Sequence, residues 1–210
     1  MNVLPHAQGT PEWFQARVGR ITASKMDAVC ATGKSGAPST TRDAYMGELI
    51  AERLTGRYAE DGYTNADMQR GTELEPLARA AYEVKTRKMV DEVGLVLHPR
   101  NQWFGASPDG VVGDDGLLEI KCPRTHVHIS YLLAGKPPAA YLKQMGWQAA
   151  CCERKWVDFV SFDPKMPEPL QLFIVRFEPT FEYLKGLEDA AETFLAELES
   201  KLAALKALAA

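Results

Sequence analysis

The stretch SPDGVVGDDGLLEIKCP, residues 107–123, constrains this chain more than any other. It reads as two short apolar strands around a tight turn at Gly113-Asp114-Asp115-Gly116, yet it carries Asp109, Glu119 and Lys121. Charges on strands that otherwise belong in a core need partners there. Residues two apart in a strand share a face. Glu119 and Lys121 therefore project together, while Leu118 and Ile120 turn to the opposite, apolar side. If 110–112 and 117–121 pair as a hairpin, Asp109 comes beside Glu119. Two carboxylates with an ammonium alongside suit a hard divalent cation and a positioned water, which is the equipment of phosphodiester hydrolysis. The plainer reading is a surface hairpin with ordinary ion pairs, and the apolar flanks argue against it.

Around this stretch the hydrophobic period changes twice. Thr10-Pro11-Glu12 marks a helix start, since Thr caps and Pro suits the first turn. ITASKMDAVCATG reads as a second short helix with Thr22 or Ser24 near its N-terminus, and GKSGAPSTT (33–41) as a flexible loop. Helices are expected over about 42–55, stopped by Gly56, and over about 66–86. Strands are expected at 93–98, 103–107, 110–112 and 117–121. After a helix at about 139–153 come strands at 156–162 and 170–177, and an amphipathic helix from about Thr180 closes the chain. No internal repeat or domain boundary shows, so residues 1–210 read as one α/β domain with a C-terminal amphipathic helix.

Composition narrows the setting. The chain is 46% hydrophobic and 25% charged, with no apolar run near the roughly 18 residues of a membrane span. The first residues, MNVLPHAQGTPEWF, lack the basic and apolar regions of a signal peptide. Four cysteines (Cys30, Cys122, Cys151, Cys152) show neither CxxC spacing nor a disulfide framework, so a reducing cytoplasm is expected, and an iron–sulfur cluster is not. A net charge of −4 excludes a protein that coats nucleic acid by charge alone. That charge is uneven, however. Glu119–Lys165 holds seven Lys or Arg against four acids, whereas Glu178–Glu199 holds seven acids against one lysine. A local basic groove is compatible with that distribution.

A third carboxylate would complete a cation site, and the 66–86 helix offers Glu73 and Glu75. They lie about 200° apart on a helical wheel, flanking the stripe Leu74, Leu77, Ala78 and Ala81. Periodicity leaves both open. His126 and His128, just past the lysine strand, read as solvated or structural, and Trp13, Trp103, Trp147 and Trp156 as core.

At this point a family resemblance enters. SPDG…LEIKCP resembles the PD-(D/E)xK nuclease core, in particular the lambda-exonuclease family of YqaJ-like viral recombinases. ARVGRITAS (16–24) resembles that family's R-x-G-x-I-T-A-S motif. GTELEPLAR (71–79) resembles its helix with a metal-directed glutamate, and YLKQMGWQAAC (141–151) its glutamine helix. The resemblance implies a mixed central sheet flanked by helices. It implies Mg²⁺, with Mn²⁺ as a possible substitute, held by Asp109, Glu119 and the Ile120 carbonyl. Glu75, rather than Glu73, would act near the metal, Lys121 at the nucleophile, and Gln144 would steady the site. Arg17 and Ser24 match residues that grip a 5′-phosphate, and free N–H groups at a helix start would favour that anion.

By the same resemblance the expected activity is 5′-to-3′ exodeoxyribonuclease action on one strand of linear duplex DNA. Mononucleotides are released and a 3′ overhang is left for phage-type recombination. A ring-shaped homotrimer threading duplex with 5′-phosphorylated ends, and a single-strand annealing protein that receives the overhang, are the implied partners. The rivals are an endonuclease or repair nuclease on the same core, and a catalytically inactive DNA-binding recombination module.

Overall fold

The computed structural model describes residues 1–33, 39–58 and 66–209, so most of the expected loop at 33–41 lies outside the described residues. Helix α1 (Pro11–Arg17) starts where Thr10 accepts a hydrogen bond from the Trp13 N–H and Pro11 takes the first turn. Helix α3 (Thr40–Thr55) is capped by Ser39 and ends at Gly56, whose φ of 68° favours a residue without a Cβ. Between them lie strand β2 (Ile21–Thr22), a 3₁₀ turn (Ala23–Lys25) and the four-residue α2 (Met26–Val29). The expected short helix at this place is therefore a strand, a 3₁₀ turn and a single α-turn. Helix α4 (Ala66–Thr86) runs through Pro76, which deletes one ladder bond beside Glu75.

The expected mixed sheet flanked by helices is present as the second of two mixed four-stranded sheets. In the first, β1 (Asn2–Val3), β3 (Val96–His98), β4 (Asn101–Ala106) and β2 lie in the order β1-β3-β4-β2, with β2 parallel to β4. The second holds β5 (Gly110–Val112), β6 (Gly116–Lys121), β7 (Trp156–Phe162) and β8 (Leu172–Phe177) in chain order. There β6 and β7 are parallel, so the chain must cross over between them. Helices α5 (Thr125–Ala134) and α6 (Ala139–Cys152) are that crossover.

The second sheet is covered on both faces. On one side Leu118, Ile120, Val160 and Phe162 pack against Ala78 and Tyr82 of α4. On the other, Leu117, Val157 and Phe159 join Met145, Trp147 and Cys151 of α6. Helix α7 (Phe181–Leu208) adds Phe194 and Leu198 to that core. Each fully buried large apolar side chain contributes about 1.5–3 kcal/mol. Both faces of β6 are thus dry, which raises the cost of any charge placed on it.

The tryptophans depart from expectation. Trp147 has no exposed surface, but Trp13, Trp103 and Trp156 are half-buried platforms for cations. Arg17 lies 4.4 Å from the Trp13 centroid, Arg53 3.7 Å from that of Trp103 and Arg176 3.6 Å from that of Trp156.

Candidate active site

Strand β5 is too short to accompany β6 along its whole length. Their antiparallel register pairs Gly110 with Leu118 and Val112 with Gly116, and stops there. The Asp109 N–H extends the ladder by one bond to the Leu118 carbonyl, at 3.0 Å. Its side chain then stands in for the missing strand, with Oδ2 accepting from the Ile120 N–H at 2.6 Å. A strand residue's N–H and C=O point along the same edge, so the Ile120 carbonyl faces the Asp109 side.

Glu119 faces the other way and is wholly buried under α6. Gln144 donates to its Oε1 at 2.7 Å and Gln148 to its Oε2 at 2.6 Å. Lys121, two residues along the same face, also bonds Oε1 and keeps its ammonium near the Tyr141 ring. On this dry strand Lys121 offsets the charge of Glu119, and the two amide N–H groups complete the glutamate's hydrogen bonding.

The third carboxylate is Glu75. Glu73 is exposed and bonded by Gln69, whereas Glu75 lines the cleft and is held by Arg79 at 2.7 Å. Arg79 reaches on to the Asp109 carbonyl, at 3.2 Å, and to Glu92, at 2.6 Å. It ties the α4 acid to the β5 end. Pattern reading passed over Arg79 and Gln148, although each sits four residues beyond a named site residue on its helix. That spacing was the available signal.

Burial and the neighbouring Glu119 push the Asp109 carboxyl well above the usual carboxylate range, with Lys121 opposing. Burial also raises Glu75, against the pull of Arg79. Burial alone would lower Lys121, but the Glu119 and Asp109 carboxylates outweigh it and hold the ammonium firmly protonated. Cys122, beside it, is pushed up to about 12 by burial and stays a thiol.

Glu75, Asp109, Ile120 and Lys121 open on a cleft of about 740 Å³ that Arg124 and His126 also line. Glu119 and Gln144 back this wall without lining it. A second cleft of about 700 Å³, walled by residues 3–9 and Trp13, meets the first at Thr72, Glu75 and Asp109. His128 is structural, buried between Ser161 and the Leu170 carbonyl.

Among the described residues, no three His, Cys, Asp or Glu side chains form a ready-made metal cage. Magnesium needs none, since it keeps several waters and takes one or two carboxylates. Crowded acids that hold protons too tightly are the mark of a place where positive charge is missing. The donor set therefore fits a hard divalent cation.

Arg17 and Ser24 sit apart from these acids, and neither lines either cleft. Arg17 bonds Thr22 Oγ1 at 3.4 Å and stacks on Trp13, which borders the second cleft and bonds Ser107, two residues before Asp109. Ser24 is exposed in the 3₁₀ turn. A turn of three residues lacks the aligned dipoles of a full helix, so the expected helix-start contribution shrinks to local N–H groups.

An acid–acid–lysine set at the open end of a strand pair, inside a mixed α/β frame, defines a nuclease of the PD-(D/E)xK class. Residues 12–155 match the YqaJ-like viral recombinase domain, and the chain belongs to that family. It is similar to an alkaline exonuclease from Laribacter hongkongensis, LHK-Exo, at 48% identity over 95% of this chain and 98% of that one, with a TM-score of 0.87. The same enzyme solved in complex with dAMP matches at 48% identity over the same shares, with a TM-score of 0.88. A phage-related exonuclease from Haemophilus somnus 129PT shares the fold at 16% identity, 87% and 96% coverage and a TM-score of 0.60. No curated protein sequence matches. The protein is an enzyme, a nuclease of the alkaline-exonuclease type.

Proposed function

We propose that the protein is a Mg²⁺-dependent exodeoxyribonuclease. It degrades one strand of linear duplex DNA from a 5′-phosphorylated end, 5′ to 3′, releasing mononucleotides and leaving a 3′ overhang for recombination. The observation that carries this reading is the meeting of Asp109, Lys121 and Glu75 in one cleft, with Glu119 fixed behind them. Asp109, Glu119 and the Ile120 carbonyl would hold magnesium, or manganese in its place, with Glu75 reaching it through water. When bound, the ion lowers the pKa of a water and stabilises charge on the phosphate.

The chain's own groups do the rest. Lys121, kept charged by Glu119, donates to the attacking water or to a phosphate oxygen, acting as a fixed cation rather than a base. Gln144 keeps Glu119 in place. Arg17 offers a planar fork to a terminal phosphate, with Ser24 adding a hydroxyl. The bound dAMP of the similar exonuclease supports mononucleotide release here. A homotrimer would place basic residues of a −4 chain inside a channel, and an annealing protein would receive the overhang. Free thiols throughout support a cytoplasmic setting. Among the described residues no helix is long and apolar enough to cross a membrane.

End-labelled linear duplexes with 5′-phosphate or 5′-hydroxyl ends, run beside closed circles, test this. We expect labelled mononucleotides from 5′ ends, fastest with a phosphate, and an intact circle. Arg17→Ala should shrink the phosphate preference by about 1.5–3 kcal/mol, the worth of a hydrogen bond to a charged group. Cutting of the circle would favour the endonuclease reading, and label lost first from 3′ ends would reverse the polarity. A monomer with full processivity in light scattering would remove the trimer.

A further inference from the structure

Glu119 is held by three donors. Gln144 and Lys121 share Oε1, while Gln148 alone holds Oε2. Gln148 has no exposed surface, and its own Oε1 finds no hydrogen-bond donor among the described residues. A leucine at this position would fill similar space without burying an unsatisfied carbonyl. Turning the amide over would not help, because its oxygen would then face a carboxylate oxygen. The amide therefore accepts one bad contact in order to give its N–H to Glu119.

The geometry explains what that N–H achieves. Donors on one oxygen leave a carboxylate free to pivot about that point, whereas donors on both oxygens fix its plane. Gln144 and Gln148 stand one turn apart on α6, so a single rigid helix presents both amides to β6. Three bonds occupy three of the roughly four acceptor positions of the carboxylate, which leaves about one for a cation or a water.

We propose that Gln148 is a positioning residue that fixes the plane of Glu119 from behind, so that the remaining acceptor position is presented to the metal. This rests on the reading of Glu119 as a metal ligand. Gln148 touches neither DNA nor metal, and it acts through the carboxylate alone. Removal of such an outer partner typically weakens metal binding or activity 10–100-fold.

The test measures Mn²⁺ binding by paramagnetic resonance, and the Mg²⁺ concentration for half-maximal turnover, in wild type, Gln148→Met and Glu119→Gln. Methionine keeps the volume and loses the N–H. We expect Gln148→Met to bind Mn²⁺ about 10–100-fold more weakly and to need correspondingly more Mg²⁺, with kcat at saturating Mg²⁺ less affected. A purely structural role predicts a lower melting temperature with unchanged Mn²⁺ affinity, and that result overturns the inference. If Glu119→Gln binds Mn²⁺ as wild type does, the metal-site reading fails first. If Glu119→Gln loses binding while Gln148→Met retains it, only the role of Gln148 falls. Should Gln148→Met not fold, ¹⁵N-glutamine labelling of the unaltered protein decides. A buried side-chain amide, slow to exchange, should shift on Mg²⁺ addition, and no shift overturns the proposal.

Discussion

Asp109 and Asp163 are acids of the same sheet, each in contact with an arginine of α4, and their surroundings push them in opposite directions. Asp163, just past β7, has no exposed surface and is surrounded by donors: Arg70 at 3.1 Å, Thr125 at 2.6 Å and the Lys165 N–H at 3.1 Å. Burial would raise its carboxyl, but those donors outweigh burial and hold it below the usual range. At Asp109 the arginine goes to the backbone carbonyl and to Glu75, not to the carboxylate. Its carboxylate takes the Ile120 N–H, and the nearest charges include two more acids. One acid closes a joint between α4, α5 and β7. The other is left short of positive charge at the mouth of a cleft. The fold clearly can satisfy a carboxylate, and the shortage at Asp109 is therefore informative about what the cleft receives.

The contrast is most exposed by substitution. Lys121→Ala or Asp109→Ala should lower single-turnover hydrolysis by at least about a thousandfold, with the fold and duplex binding retained. Asp163→Ala should leave the turnover of the folded protein near wild type but cost about 1–3 kcal/mol in urea denaturation, because Arg70 and Thr125 lose their acceptor. Near-normal turnover in Lys121→Ala would erase the difference between the two places.

Smaller and opposite in sign, Asp109→Asn should raise the metal-free melting temperature by about 2–4 °C, roughly 1 kcal/mol in a chain of this size. The amide oxygen still accepts from Ile120 while a charge leaves a crowded site. A drop in melting temperature would show that the Asp109 charge is already compensated.

The finest distinction is in pH. Because folding raises the Asp109 carboxyl, the native state holds a proton that the unfolded chain has released, so metal-free stability falls as pH rises through that raised value. Asp163 has the reverse sign. Its contribution is complete above the ordinary carboxylate range and disappears as pH falls through its lowered value. Denaturant midpoints from about pH 2 to about pH 9 should show both limbs, and Mg²⁺ should flatten only the alkaline one.

Much of this was legible in the residues. The 66–86 helix and the 156–162 strand match their expected bounds, and the 139–153 helix ends one residue earlier, because their periods are unbroken. Helix α5 was missed. HVHIS mixes β-branched residues with histidines, and its one fully buried side chain is His128, so no apolar stripe marks it. The division into two sheets was equally hidden, since alternation identifies strands but not their partners. The acids and the lysine could be paired locally because β5 and β6 adjoin. Gln148 is harder to read, because its partner lies 29 residues away and only its place one turn beyond Gln144 marks it.

Strand β6 lies between β5 and β7, with Glu119 opposite Phe159 and Leu118 opposite Asp158. A slip of one residue would exchange every side chain between faces. Leucine or isoleucine would then meet the two glutamines, and Glu119 would enter the apolar cluster beside Tyr82. A purely aliphatic strand, dry on both faces, would tolerate either alignment. The glutamate makes one of them prohibitive, so the residue that the chemistry requires also instructs the chain how to fold.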